Sequence, residues 1–237
     1  MNSISWDWKG KHFNVKVLYS YAGVATQILV NEIETDNNIL MDVGDGILRD
    51  LLSLSRRHYE NIHTILITHG HFDHVGGLYS LLCFFRMINR KEELTIICPK
   101  NVIELQGIIQ IFQESYADSI PFQLNIMEID TEVMLNEITI TPFPVQHRGS
   151  IIGGGELPNI PTLGYIISKK GEKVVYTGDT GYFEELKTYI GNADLAILEG
   201  TNKEKESTFH LSIAQAEELG KLAKKHLIIH KIPNFKE

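Results

Sequence analysis

The chain has 237 residues, 43% of them hydrophobic, and a formal net charge of −8 at pH 7. This length and composition predict a single globular domain over residues 1–237, and the acidic charge disfavours, without excluding, nucleic acid as a partner. Two cysteines are too few for a disulfide framework, no apolar run reaches the ~20 residues that cross a bilayer, and the start MNSISWDWKGK lacks a signal sequence, so we expect a cytoplasmic protein.

The first half of the chain begins with a predicted strand meander, HFNVKVLYS, ATQILVNEIE and NILMDVG. The apolar spacing from Ile47 to Tyr59 then predicts one helix, and HTILITH predicts an apolar strand. A second helix is predicted from Gly76 to about Ile88. LTIICP and the stretch from Asn101 to Tyr116 repeat the order of strand and helix.

The second half continues with the predicted strands FQLNIMEI, EITITPFPV, TLGYIIS and KVVYTG. The glycine-rich segment from Arg148 to Pro161 is predicted to be a flexible loop. A short helix FEELKTYI, a strand ADLAILEG, a helix from Ser212 to Lys225 with Ser212 as its N-cap, and a final strand HLIIH follow. Strand-rich runs mixed with single helices predict sheets whose outer faces are covered by helices.

Two segments of the chain resemble each other. ILMDVGDGILRDLL and VVYTGDTGYFEELKTYI both run from an apolar strand through Gly-Asp and a glycine into a helix. This repetition predicts two similar halves.

The most informative motif is THGHFDH, which follows the apolar run Ile65–Ile67. Three imidazoles and a carboxylate at the end of a buried strand are hard to explain by packing, because each buried ring needs partners for both nitrogens. A divalent cation removes this difficulty, since neutral imidazole and carboxylate are ligands of zinc, iron and manganese. One turn cannot easily direct His69, His71, Asp73 and His74 at a single ion, so two ions are the more natural prediction.

Each ion needs further ligands, and three residues that directly follow apolar strands can supply them: His147, Asp179 and His230. The pattern HxHxDH with a later His, Asp and His resembles the metallo-β-lactamase-fold hydrolases, over nearly the whole chain. The resemblance implies an α+β fold, a four-layer αβ/βα sandwich with the site along one edge of its sheets. It also implies a structural role for Asp42 and two ligand sets that share Asp179 as a bridge: His69, His71 and His147 for one metal, and Asp73, His74 and His230 for the other.

A dinuclear site of this kind predicts hydrolysis by a water molecule that the two cations ionise near neutral pH. Zinc is the expected metal, with iron or manganese as alternatives for the same ligands. Asp73 is also a candidate proton acceptor. The resemblance further implies a homodimer.

Within the superfamily, the segment DLAILEGTNKEKESTFHLSIAQA resembles ribonuclease Z. Glu199, Thr201 and His210 match its strand-end glutamate, threonine and later histidine. The resemblance implies that Glu199 and His210 form a proton-donating pair for the leaving group, because a carboxylate favours the protonated form of a neighbouring imidazole. A phosphodiesterase is therefore the favoured prediction.

Other features depart from ribonuclease Z. The long glycine- and proline-rich arm expected between His147 and Asp179 is missing, YSYAGVATQ replaces an N-terminal glycine-rich loop, and Phe72 stands where glycine is usual. These departures, together with the acidic charge, favour a small ester or phosphodiester as the substrate over nucleic acid.

Two alternatives stay open. Tyr182, three residues after Asp179, resembles the substrate-holding tyrosine of acyl-homoserine lactonases, so a lactone, other carboxylic ester or thioester is the alternative substrate class. Flavodiiron proteins share the implied fold, but they carry an acidic residue at one ligand position. His71 keeps the hydrolase pattern, which favours a hydrolase.

Overall fold

The computed structural model describes residues 4–151, 155–202 and 207–233. The chain divides into two compact units, Met1–Glu128 and Ile129–Glu237. Each unit contains one large mixed sheet. None of the helices in the described residues is long and apolar enough to cross a membrane.

The first unit contains a seven-stranded sheet in the order β1-β2-β3-β4-β5-β6-β7. Its strands are β1 (Trp8–Lys9), β2 (Phe13–Tyr21), β3 (Ala25–Glu32), β4 (Asn38–Val43), β5 (Ile62–Leu66), β6 (Leu94–Cys98) and β7 (Leu124–Glu128). The pairs from β1 to β4 are antiparallel, and those from β4 to β7 are parallel. Because parallel strands end at the same edge, the residues that follow β4 and β5 lie side by side.

The described residues of the first unit form five α-helices, α1 (Ile47–Leu52), α2 (Arg56–Glu60), α3 (Phe72–Val75), α4 (Leu78–Met87) and α5 (Ile103–Tyr116), with a 3₁₀ turn at Ala117–Ser119. Helix α4 buries Leu78, Leu81, Leu82 and Phe85, the spacing of an amphipathic helix. These side chains join the strands and the other helices in one hydrophobic core. Both cysteines are free thiols, and burial raises the pKa of Cys98 to about 12.

The second unit contains a six-stranded sheet in the order β15-β14-β13-β12-β9-β8. Its strands are β8 (Val133–Leu135), β9 (Ile138–Pro144), β12 (Leu163–Lys169), β13 (Glu172–Tyr176), β14 (Leu195–Glu199) and β15 (His226–Ile229). A separate hairpin is formed by β10 (Arg148–Ile151) and β11 (Gly155–Asn159). Helices α6 (Leu186–Ile190) and α7 (Ile213–Gly220) pack their apolar sides into this unit's own core.

The predicted similarity of the two halves is confirmed within each sheet. The second sheet also begins with antiparallel pairs and ends with the parallel strands β13, β14 and β15. The two matching segments are β4, Gly44-Asp45 and α1 in one unit, and β13, Gly178-Asp179 and α6 in the other.

Four predicted elements differ from the structure. The helix predicted for Ile47–Tyr59 is two helices, because Ser55 adopts extended backbone angles and is the N-cap of α2. The helix predicted from Gly76 begins at Leu78, and α3 precedes it. Helix α7 has the predicted Ser212 cap, with a full capping box, but it ends at Gly220. Beyond Gly220, the backbone bonds instead to residues 192 and 193, with Lys224 N donating to the Ala193 carbonyl at 2.8 Å.

The fourth difference is the segment Arg148–Pro161, predicted to be a flexible loop. Its described residues form the hairpin β10–β11, with a register shift between Arg148 and Ser150. Residues 152–154 lie outside the described part of the chain. Strands β1 and β8 were also not predicted, because each is only two or three residues long.

Candidate active site

The histidine motif forms a compact polar cluster after β5, in the first unit. Asp42 is the second-last residue of the neighbouring parallel strand β4 and has a left-handed backbone, φ 57°, which aspartate tolerates better than most residues. Its carboxylate accepts hydrogen bonds from the backbone N–H and the hydroxyl of Thr68, both at 2.8 Å. The same carboxylate lies 2.7 Å from His74 Nδ1. All three side chains are fully buried.

These contacts determine which ring nitrogens carry protons. Thr68 Oγ1 has a single proton and gives it to Asp42, so it accepts the proton of His69 Nδ1 at 3.0 Å. His74 Nδ1 donates to Asp42. In both rings Nε2 therefore carries the lone pair, which is the form of imidazole that binds a metal.

The donor atoms of this cluster converge. His69 Nε2 lies 3.0 Å from His71 Nδ1, close to the ~3.3 Å between two nitrogens on one tetrahedral zinc ion. His74 Nε2 lies 3.9 Å from Asp73 Oδ2. That carboxylate oxygen also accepts the Gly23 backbone N–H at 2.8 Å, which holds the buried Asp73 side chain in place.

A second polar cluster lies at the strand ends of the second unit. His147 Nδ1 donates to the Phe209 carbonyl at 2.9 Å, and its Nε2 faces Asp179 Oδ2 at 3.9 Å. Asp179 Oδ1 lies 3.4 Å from His230 Nδ1. Asp179, His147 and His230 are all buried, so the three predicted ligands of this unit come together.

His230 is held by a threonine that is itself bound to a carboxylate. Thr201 Oγ1 donates to Glu199 Oε2 at 2.6 Å and lies 2.9 Å from His230 Nδ1. Because the hydroxyl proton goes to Glu199, His230 Nδ1 is the donor and Nε2 carries its lone pair. His230 itself has a left-handed backbone, φ 56°, an uncommon conformation that concentrates at functional residues.

Glu199 and His210 form the predicted pair. His210 Nδ1 lies 3.0 Å and 3.2 Å from the two Glu199 oxygens. The carboxylate also accepts the backbone N–H of Thr180 at 2.7 Å, and it is almost fully buried, whereas the His210 side chain is 21% exposed. The partly exposed His210 ring thus has its Nδ1 edge on the buried Glu199 carboxylate, and the same Nδ1 lies 3.9 Å from Asp179 Oδ2.

Both clusters fit divalent cations. Each offers neutral imidazoles whose other ring nitrogen bonds to a hydroxyl, carboxylate or carbonyl, the outer contacts typical of histidine ligands. Each also contains a buried carboxylate. In the second unit, potential ligand atoms of His147, Asp179 and His210 lie within 4.8 Å of one another.

Tyr182 contacts two charged residues that follow it in the chain. Its hydroxyl donates to Glu184 Oε1 at 2.8 Å, and its ring lies 5.9 Å from Lys187 Nζ. The pKa of Glu184 is lowered by hydrogen bonds from Lys187 and then from Tyr182. The structure thus gives no support to a substrate-holding role for this hydroxyl.

Thr68 and Thr180 are site residues that sequence reasoning did not identify. Thr68 connects Asp42 to His69, and Thr180 gives its backbone N–H to Glu199 while its hydroxyl accepts the Gln146 N–H at 3.1 Å. Each directly adjoins a predicted ligand, which is the one signal that could have identified them.

Comparison with known proteins defines the class of protein. The model of the beta-lactamase superfamily domain matches residues 37–230, so the chain belongs to this family. A solved structure of the short form of human tRNase Z aligns with a TM-score of 0.75 at 22% identity, covering 92% of each chain. The metallo-β-lactamase fold protein YhfI from Bacillus subtilis aligns with a TM-score of 0.73 at 20% identity, covering 94% of this chain and 87% of the other. The predicted α+β class and the metallo-β-lactamase fold are confirmed.

Similar curated proteins narrow the class further. The chain is 30% identical to a ribonuclease Z of Thermococcus onnurineus, over 80% of this chain and 73% of that protein. A ribonuclease Z of Thermococcus sibiricus is 28% identical, over 84% and 78% of the two chains. The chain is thus a ribonuclease Z-like, metal-dependent hydrolase, as the sequence predicted. The expected preference for a small molecule over nucleic acid finds no support here, because these relatives are named as ribonucleases.

Proposed function

We propose that the chain is a dinuclear metal-dependent phosphodiesterase that acts on RNA. The observation that carries the proposal is the contact of His210 with Glu199 at 3.0 Å, in a unit that also gathers His147, Asp179 and His230. A proton donor separate from the ligands serves a poor alkoxide leaving group, and the similarity to ribonuclease Z proteins favours a phosphodiester over a carboxylic ester.

The proposed ligands are those predicted from the sequence: His69, His71 and His147 for one cation, Asp73, His74 and His230 for the other, and Asp179 as the bridge. Held by these residues, two divalent cations would supply a water molecule ionised near neutral pH and stabilisation of charge on the phosphoryl oxygens. Zinc is the proposed metal, because imidazole and carboxylate are its usual ligands, and iron or manganese would use the same donors.

The chain's own residues have two further tasks. Asp42 and Thr68 in one unit, and Glu199 and Thr201 in the other, hold ligand imidazoles with their protons on Nδ1. His210 keeps Nδ1 on Glu199, so the proton for the leaving oxygen is carried on Nε2. The negative Glu199 carboxylate stabilises the imidazolium before that transfer. Asp73 remains a candidate acceptor for the proton of the attacking water.

The test compares substrate classes. Initial rates of the metal-loaded protein are measured on single-stranded RNA, bis(p-nitrophenyl) phosphate and a homoserine lactone. We expect kcat/KM for both phosphodiesters to exceed that for the lactone. A clear preference for the lactone, lost in Tyr182→Phe, would overturn the proposal in favour of the lactonase alternative.

A further inference from the structure

Exposed apolar side chains surround the histidine motif of the first unit. Phe72, inside the motif, is 63% exposed, and Ile103 at the start of α5 is 76% exposed. Tyr21 at the end of β2 is 43% exposed. Isolated exposed apolar residues are ordinary, but large ones gathered around a polar site indicate a contact surface.

Contacts within the unit tie these residues to the motif. The Gly23 N–H donates to the carboxylate of Asp73 at 2.8 Å, so the turn that follows Tyr21 is fixed to the residue that follows Phe72. A Cβ atom on Gly70 would overlap the Glu104 carboxylate and lie 3.0 Å from Val102 Cγ1. The start of α5, which contains Ile103 and Glu104, thus lies against the motif.

Tyr21 has an aromatic neighbour. Tyr19 and Tyr21 are two residues apart on β2 and therefore on one face of the strand, with ring centroids 5.4 Å apart and an interplanar angle of 63°. This edge-to-face contact supports the ring of Tyr21 while its outer part remains exposed. We call Tyr19, Tyr21 and Phe72 the aromatic face.

An acidic protein that cleaves RNA needs affinity from a source other than long-range attraction. The net charge of −8 repels a polyanion, apart from the local effect of bound cations. Stacking of bases on aromatic rings does not depend on net charge and tolerates any base sequence. Unpaired bases are the ones that can stack on a protein surface, because paired bases are already stacked within a helix.

We propose that the aromatic face stacks unpaired nucleobases of the RNA substrate next to the scissile phosphate, with Phe72 as the main platform and Ile103 as an apolar wall. This inference rests on the proposed function and specifies its substrate as single-stranded RNA. Phe72 and Tyr21 determine specificity, whereas Tyr19 is a positioning residue that acts through Tyr21.

The experiment compares two oligoribonucleotides that differ only in bases. One is intact, and the other has abasic nucleotides on both sides of the scissile bond. For the wild-type protein we expect KM to be about tenfold or more lower for the intact RNA. Phe72→Leu should reduce this preference to about twofold or less, Phe72→Trp should retain it, and Tyr21→Leu should reduce it partially. Met87→Ala is the control, because the Met87 side chain is also largely exposed, at 69%, but lies at the far end of α4.

Cross-linking gives a readout that does not depend on turnover. An RNA with 5-iodouridine beside the scissile bond is irradiated with the protein, and the modified residue is located by mass spectrometry. We expect attachment to Phe72 or Tyr21. Circular dichroism melting of each variant ensures that altered values come from folded protein.

The outcomes separate this inference from the proposed function. One outcome is that methyl p-nitrophenyl phosphate is cleaved but KM is the same for intact and abasic RNA; another is that Phe72→Leu keeps the full preference. In either case the aromatic face is not a stacking surface, while the proposal of a phosphodiesterase is retained. If no phosphodiester is cleaved, both proposals fail. If Phe72→Glu converts a dimer to a monomer in sedimentation and no cross-link forms, a second copy of the chain occupies this surface and the inference is overturned.

Discussion

Each unit contains a buried carboxylate and a threonine that together hold two histidines. The two units differ in the exposure of one of these histidines. In the first unit a buried carboxylate, Asp42, binds both the backbone N–H and the hydroxyl of Thr68, and that hydroxyl holds His69. In the second unit Glu199 binds the N–H and hydroxyl of Thr201, and that hydroxyl holds His230.

The difference lies in the second imidazole on each carboxylate. Asp42 also holds His74, whose side chain is fully buried, whereas Glu199 holds His210, whose side chain is 21% exposed. A buried ring can reach a cation but has little access to a substrate. A partly exposed ring can give its proton to one. One arrangement of groups thus suits a metal ligand in one unit and a proton donor in the other.

The largest effect is expected from removing the carboxylate of the first unit. Asp42→Ala leaves the buried N–H of His74 and the hydroxyl of Thr68 without their acceptor, which should lower the free energy of unfolding by about 3–5 kcal/mol and reduce metal content. Urea unfolding and elemental analysis measure both quantities. Asp50→Ala removes a partly exposed carboxylate that pairs with Arg49 and should change stability by less than about 1 kcal/mol. An Asp42→Ala protein with normal stability and metal content would show that the Asp42 carboxylate does not hold the histidines of the first unit as Glu199 is proposed to do in the second.

Removing the exposed imidazole of the second unit should affect catalysis alone. His210→Ala is expected to lower kcat on RNA by about 10²- to 10⁴-fold, the usual contribution of a general acid, while metal content stays at the wild-type value. His226→Ala is the matched control, since His226 also contacts a glutamate, Glu217, at 3.1 Å but at the opposite end of β15. Loss of metal from His210→Ala would indicate that His210 is a metal ligand, as His74 is proposed to be, and would contradict its role as a proton donor.

Smaller effects are expected from the two threonines. Thr68→Val and Thr201→Val keep the shape of the side chain but remove the hydroxyl that holds His69 or His230, so metal affinity should fall by about 10- to 100-fold. Competition with a chromogenic chelator measures this affinity. Serine at either position retains the hydroxyl and should restore most of it. If the valine variants bind metal as tightly as the serine variants, the shared arrangement has no role in the site.

The smallest effect concerns His58, a buried histidine of the first unit outside the site. Its Nδ1 has no hydrogen-bond partner among the described residues, and its pKa is lowered by burial and then by the charge of Arg57. As pH decreases, the unfolded state therefore binds a proton at this residue before the folded state does. The free energy of unfolding falls as the pH passes below the unfolded pKa of ~6.5. His58→Phe should show a smaller loss of unfolding free energy between pH 7.5 and 5.5, with some loss remaining because burial also lowers the pKa of His63. An unchanged loss would show that His58 does not contribute.

Residues at strand ends could be predicted from the sequence because apolar runs and the polar residues that follow them are both visible there. The motif THGHFDH is contiguous, and Asp179 and His230 follow clear strands. Thr201 matches a threonine of ribonuclease Z and Thr68 adjoins a predicted ligand, but the sequence does not show that their hydroxyls hold His230 and His69, since this role depends on the proton that each hydroxyl gives to Glu199 or Asp42. The hairpin β10–β11 was missed because its glycine content resembles that of a loop, and the end of α7 at Gly220 depends on backbone bonds to residues 192 and 193. A single domain, a cytoplasmic location and a homodimer remain predictions.

Metal analysis of Asp179→Ala tests the central claim most directly. Purified wild-type and variant chains are dialysed under the same conditions, metals are counted by inductively coupled plasma mass spectrometry, and rates are measured on bis(p-nitrophenyl) phosphate. We expect about two metal ions per wild-type chain, with fewer ions and no measurable turnover in the variant, because Asp179 is the proposed bridge. An Asp179→Ala protein with the full metal content and the full rate would contradict the dinuclear site.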